Sequence, residues 1–235
     1  MARIILVPGF WLGAWAWDEV ADLLRGRGHE VRALTLPGLD PDDPDRLKAT
    51  FESQAHAILD AVGDERAVLV SHSGGALPAY LATDLAPDRF TRAVYVDTAP
   101  MPDGFTIAPA LNAAPDYPLP DWERLQADGN SIEGLDEAAL ARFRERAVSE
   151  PTSIVATPLK LGDSLARRNI PTTIICTSYR AETVRQLRDA AELPMFAELA
   201  DIDAEYLDLP TGHWPMWSRP AELAELVHDA AQQAI

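Results

Sequence analysis

Cysteine, lysine and long apolar runs are scarce in this 235-residue chain. One cysteine, Cys176, excludes a disulfide framework and a thiolate metal cluster. No stretch approaches the roughly 20 consecutive apolar residues of a membrane-spanning helix. The apolar run near the start, Ile4 to Val7, is too short for the core of a secretory signal. The expectation is therefore a reduced, cytoplasmic setting. Positive charge is also thin: Lys plus Arg number 20 against 37 Asp plus Glu, a net charge of −17. Such a charge repels nucleic acid and anionic membrane surfaces, so neither is an expected partner. What remains is 47% hydrophobic and 24% charged, the balance of an ordinary globular protein. The length suits one domain, with room for a modest insertion.

Short β-branched runs alternate with helical patterns. Ile4 to Val7, Val31 to Leu36, Val68 to Val70, Ala93 to Val96, Thr172 to Cys176 and Glu205 to Leu209 read as strands. Between them, apolar residues recur at helical spacing, as in Trp17, Val20, Ala21 and Leu24, or Phe51, Ala55, Ile58, Leu59 and Val62. Further helices are expected from Gly75 to about Ala86, near Ala181 to Glu192, and from Leu223 to the end. Alternation of this kind implies parallel β-α-β units. Strands covered on both faces read as unbroken apolar runs, as these do. The predicted fold is α/β: a mostly parallel sheet of about six strands flanked by helices. From Pro100 to about Asn169 the rhythm fails, and one clear helix is expected there, near Asp136 to Val148. A stretch this long is too much for a connection in a compact sheet. Residues 100–169 are expected to form a small cap over the carboxyl ends of the strands, with residues 1–99 and 170–235 forming the core.

The strongest local signal is Val68-Leu69-Val70-Ser71-His72-Ser73-Gly74-Gly75. A strand feeding a tight turn and then a helix, with serine at the apex, holds a nucleophile clear of the sheet. The usual pattern is Gly-x-Ser-x-Gly; here Ser71 stands at the first glycine. A serine hydroxyl needs a base. Of the five histidines, His29, His56 and His228 fall in a turn or on helices and read as surface or packing residues. His72 adjoins the serine, but the turn should aim it elsewhere. His213, in Pro210-Thr211-Gly212-His213-Trp214-Pro215 after the last strand, falls at the same sheet edge as Ser73. An acid must then hold the imidazole. The turn after Thr172 to Cys176 has no aspartate where one is expected. Asp97, closing Ala93 to Val96, is the preferred acid and Glu182 the alternative. Backbone N–H groups of Gly74 and Phe10 are placed to form an oxyanion hole.

Together these pieces resemble the α/β-hydrolase superfamily. The stretch Leu6-Val7-Pro8-Gly9-Phe10-Trp11-Leu12-Gly13-Ala14-Trp15-Ala16-Trp17, with Leu23-Leu24 and Gly28-His29-Glu30-Val31, is similar to its plant esterase and hydroxynitrile lyase branch. The turn at Ser73, Met101-Pro102-Asp103 and Gly212-His213-Trp214-Pro215-Met216 extend the likeness. The resemblance implies a serine hydrolase using Ser73, His213 and an acid, without metal or organic cofactor. Three departures stand out: Pro8 where the superfamily often has histidine, Ser71 at the elbow, and the vacant acid position. Some superfamily members, including certain haloalkane dehalogenases, carry the acid where Asp97 stands. Their aspartate nucleophile is absent here, so dehalogenation is disfavoured.

The expected activity is hydrolysis of a carboxylic ester of a small, largely apolar molecule, with Phe10, Trp11, Phe105, Tyr117 and Trp122 as candidate pocket walls. A lyase of the hydroxynitrile type would need a lysine near the site, and only Lys48 and Lys160 exist. A third reading is a binding protein that keeps the fold without turnover.

Overall fold

The computed structural model describes residues 1–111, 114–190 and 193–234, and for Pro194 the backbone alone. In chain order the elements are β1 (Arg3–Val7), α1 (Asp18–Gly26), β2 (Glu30–Ala33), α2 (Phe51–Val62), β3 (Ala67–His72), α3 (Ala76–Leu85) and β4 (Phe90–Val96). There follow β5 (Asp116–Tyr117), α4 (Trp122–Ala127), α5 (Glu137–Arg146), β6 (Glu150–Pro151) and α6 (Thr152–Val155). The chain closes with β7 (Thr172–Cys176), α7 (Ala181–Ala190), β8 (Ala204–Asp208), α8 (Pro215–Ser218) and α9 (Pro220–Gln232). Ala191 and Glu192, the predicted end of α7, lie outside the described residues, as do Asn112, Ala113 and Ile235.

Six strands form one sheet in the order β2-β1-β3-β4-β7-β8, every pair parallel. The unbroken apolar runs have a direct cause. Successive strand residues face opposite sides, and both sides are buried. Along β1, Ile5 and Val7 join the layer built with Phe51, Ile58, Leu77 and Tyr80 of α2 and α3. Ile4 and Leu6 join the opposite layer, with Val20 and Leu24 of α1 and Leu223 and Val227 of α9.

Strand boundaries differ from the sequence reading by up to three residues, and two of the differences follow directly from pairing. β2 ends at Ala33, whose partner Leu6 is the last residue of β1 matched to it. Leu34 and Leu36 stay buried but run on as loop. β3 extends through Ser71 and His72, because β4 pairs with both. Between β4 and β7 the chain leaves the sheet, and β5 pairs antiparallel with β6 over two residues. Beside the predicted helix, found as α5, this segment holds α4 and α6. Asp121 caps α4 through Arg124 N and Asp136 caps α5 through Ala139 N. None of the described helices is long and apolar enough to cross a membrane.

Candidate active site

The parallel topology brings the carboxyl ends of β3, β4, β7 and β8 to one edge, where ligands bind in open α/β sheets. Ser73 follows β3 directly and opens a single 3-10 turn, Ser73–Gly75, leading into α3. Its φ is 50°, a left-handed conformation that non-glycine residues adopt at a cost and that concentrates at functional sites. The turn is tight enough that a Cβ at Gly75 would fall 2.2 Å from the Pro8 carbonyl oxygen. Ser71, by contrast, is an ordinary strand residue paired with Val7 and Tyr95. The missing first glycine is thereby explained: the backbone at 71 needs no unusual φ.

His213 lies in the loop between β8 and α8. Its Nε2 is 2.7 Å from Ser73 Oγ, and its Nδ1 is 2.6 Å from Asp97 Oδ2. The loop is braced twice. His213 N donates to the Ser131 carbonyl at 2.7 Å, and His72 Nε2 lies 2.6 Å from the His213 carbonyl oxygen. Burial, then the neighbouring His213, pushes the His72 imidazole down to about 3. His72 is therefore neutral, and because a carbonyl can only accept, its Nε2–H donates. The sequence foretold that His72 points away from the serine; its bracing of the His213 backbone had no sequence signal.

Asp97 also has a positive φ, 48°. Its N–H donates to the Ile175 carbonyl at 2.9 Å, so β7 fixes its position. Besides His213, the carboxylate accepts from Thr177 N at 3.2 Å, Ser178 N at 2.9 Å and Ser178 Oγ at 2.6 Å. Burial by itself would raise its pKa. The bond and charge of His213, with the two bonds of Ser178, outweigh burial and hold the carboxyl well below the usual range. The turn after β7, which lacks an acid of its own, instead supplies donors that grip one from β4. Glu182 is exposed in the first turn of α7 and joins neither Ser73 nor His213.

A cavity of about 890 Å³ opens onto Ser73, Gly74 and His213. Phe10, Trp11, Phe105 and Tyr117 line it, as expected, together with Leu77, Met101 and Ile107. Trp122 does not, which corrects the expectation that it forms a pocket wall. Its ring packs on Phe143 at 5.6 Å, under the Arg144 guanidinium at 4.1 Å. Position 122 begins α4, whose buried face meets the α5 layer rather than the cavity. The charged lining residues are paired: Arg124 Nε with Asp128 Oδ2 at 2.7 Å, and Asp97 with His213. A separate cavity of about 310 Å³ touches Asp97 and His213 but not Ser73.

Phe10 and Gly74 face each other at the cavity floor, the Phe10 ring lying against the Gly74 backbone. The Phe10 N–H makes no hydrogen bond to any described residue. Among the described residues no group of three or more His, Cys, Asp and Glu is arranged to hold a metal ion. Chemically, a hydroxyl against an imidazole whose other nitrogen is held by a carboxylate can be deprotonated as it attacks.

The profile of the alpha/beta hydrolase family matches residues 4–226. Esterase PIR7B of Oryza sativa subsp. japonica is 42% identical over 104 residues, 41% of this chain and 38% of that protein. Methylesterase 9 of Arabidopsis thaliana is 37% identical over 109 residues, 44% of this chain and 42% of the relative. The matched stretch thus spans about two-fifths of the length of these curated relatives. Among solved structures, a methylesterase protein, MES16 from Arabidopsis, superposes with a TM-score of 0.78 over 99% of this chain and 100% of its own, at 18% identity.

Proposed function

The chain belongs to the alpha/beta hydrolase family, and we propose that it hydrolyses carboxylic esters of small, uncharged, largely apolar molecules through an acyl-enzyme on Ser73. One observation carries this reading: the continuous chain Ser73 Oγ to His213 Nε2 to Nδ1 to Asp97 Oδ2, at 2.7 and 2.6 Å. An ionised carboxylate only accepts, so His213 Nδ1 bears the hydrogen and Nε2 is left free to take the serine proton. Ser73 attacks the acyl carbon, and the N–H groups of Phe10 and Gly74 receive the oxyanion. The imidazolium, stabilised by Asp97, returns its proton to the departing alkoxide. Water, deprotonated in the same way, then releases the acid and restores Ser73.

Substrate class follows from the cavity. Its wall is mainly apolar, and its cations and anions are already paired, which leaves no free charge among the described lining residues to hold an anionic substrate. We take residues 100–169 as the cap that shapes this space. That relatives are named esterases and methylesterases agrees with ester cleavage. No observation favours the lyase reading: Lys160 is exposed and does not line the cavity.

Turnover of p-nitrophenyl acetate and butyrate tests the proposal. Ser73→Ala should lower kcat by about 10⁴-fold or more, the scale seen when a nucleophile of this type is removed. Turnover that survives Ser73→Ala refutes the acyl-enzyme. Ester binding without turnover in the native chain favours a receptor-like protein, and cyanide release from a cyanohydrin favours a lyase.

A further inference from the structure

We propose that Glu150, on β6, is a positioning residue that sets the Phe10 N–H for the oxyanion by gripping the next residue, Trp11; this inference rests on the esterase reading above. Glu150 is 1% exposed, although it is a carboxylic acid. Its Oε1 accepts the Trp11 N–H at 3.0 Å, and its Oε2 has no partner among the described residues. An apolar side chain would fill such a place without the cost of burying a half-satisfied carboxyl. The one bond that the Glu150 carboxyl makes among the described residues falls on the backbone next to the proposed oxyanion donor.

Two further hydrogen bonds of Trp11 come from the same segment. Val148 N donates to the Trp11 carbonyl at 3.0 Å, two residues before Glu150. Trp11 Nε1 donates to the carbonyl of Tyr117, which pairs with Glu150 across β5 and β6. Trp11 is thereby held at its N–H, its carbonyl and its indole. It needs holding, because its φ is 64°, a conformation few tryptophans adopt unless the surroundings impose it. Rotation at Trp11 would turn the Phe10–Trp11 peptide and, through Phe10, shift the neighbouring Gly9–Phe10 peptide that carries the Phe10 N–H. The opposite side of the segment is already fixed: the Phe10 ring lies on Gly74, and a Cβ at Gly9 would come within 2.9 Å of Ser73 Cβ. Burial pushes the Glu150 carboxyl up to about 8, against the pull of the Trp11 N–H and Arg46. Near neutral pH the group is thus mostly a neutral acceptor, a role that glutamine can also fill.

The test uses the full chain and a p-nitrophenyl ester that Ser73→Ala no longer turns over, so that the esterase reading is checked separately. Glu150→Leu removes the acceptor, and Glu150→Asp withdraws it by one methylene. Both should lose 10- to 100-fold in kcat with KM changed less than threefold. Affinity for a phenyl trifluoromethyl ketone, whose adduct with Ser73 bears the oxyanion, should fall by the same factor. Glu150→Gln should stay within about threefold of the native chain in both measurements. The proposal is overturned if Leu and Asp both keep kcat within threefold, or if kcat falls while ketone affinity holds. Should Glu150→Leu fail to fold, Glu150→Asp and Glu150→Gln decide between the same outcomes.

Discussion

Ser73 follows β3 and Asp97 follows β4 without an intervening residue, and His213 comes five residues after β8. Across the cavity, the groups that hold Trp11 belong to β5, β6 and Val148 just before β6, and the two strands pair over two residues only. The first region rests on a ladder: His72 pairs with Val96, and Val96 with Ile175. Positive φ values at Ser73 and Asp97 are tolerated because the residues before them cannot move. The second region has no such long ladder and is held in part by side chains reaching for backbone. Arg46 donates to the Ser149 carbonyl, Arg144 to the Leu119 carbonyl, and Glu150 accepts from Trp11. A single substitution at the sheet edge should therefore change chemistry with little structural loss. In the second region it should shift a loop or a stability.

The largest test of this contrast is Asp97→Asn. The amide is nearly isosteric, and Thr177 N and Ser178 N can still donate to its oxygen. It cannot accept the His213 Nδ1–H and the Ser178 hydroxyl as the carboxylate does. We expect kcat to fall by about 10⁴-fold, the loss known for a triad acid made neutral, with an unchanged circular dichroism spectrum. If turnover stays near normal, while Glu182→Gln abolishes it, Asp97 is not the acid.

The same contrast decides what could be read from sequence. The six strands were legible because each is an unbroken apolar run, and Ser73, Asp97 and His213 were legible because they close or follow such runs. In the sequence Asp97 and Glu182 both stay open as the acid, because the turn after β7 shows what it lacks, an aspartate. It did not show what it supplies, the donors of Thr177 and Ser178. In residues 100–169 the helix found as α5 is the one stretch whose pattern could be read. Trp122 is expected as a pocket wall only because it is aromatic, and nothing in the local pattern marks Glu150. Their places depend on how α4, α5 and β6 pack in three dimensions, which local pattern does not encode.

A second test concerns pH and stability at Glu150. In the unfolded chain this carboxyl ionises near its ordinary value of 4.5; folded, burial holds it near 8. Between those values unfolding releases a proton, so the contribution of Glu150 is full below about 4.5 and declines as pH rises toward 8. Above that the penalty is constant. The slope is at most about 1.4 kcal/mol per pH unit. Glu150→Gln has no proton to lose. In urea melts its stability relative to the native chain should improve from pH 5 to pH 8 and then level off. A constant difference across that range would mean that the carboxyl is ionised when folded.

The smallest effect on turnover is expected at Trp122, where the two regions are farthest apart in consequence. Its ring is half-buried between Phe143 and Arg144 and has no face on the main cavity. Trp122→Ala removes an aromatic pair and a cation–π contact, so a loss of about 2 kcal/mol in unfolding free energy is expected. The values of kcat and KM on a small ester should stay within threefold. Phe105→Ala, on the cavity wall, should do the reverse, raising KM more than it lowers stability. If Trp122→Ala raised KM as strongly as Phe105→Ala, the packing of α4 on α5 would be shaping the substrate space as directly as the wall itself. The division between the chemical edge and its supporting segment would then have to be redrawn around α4.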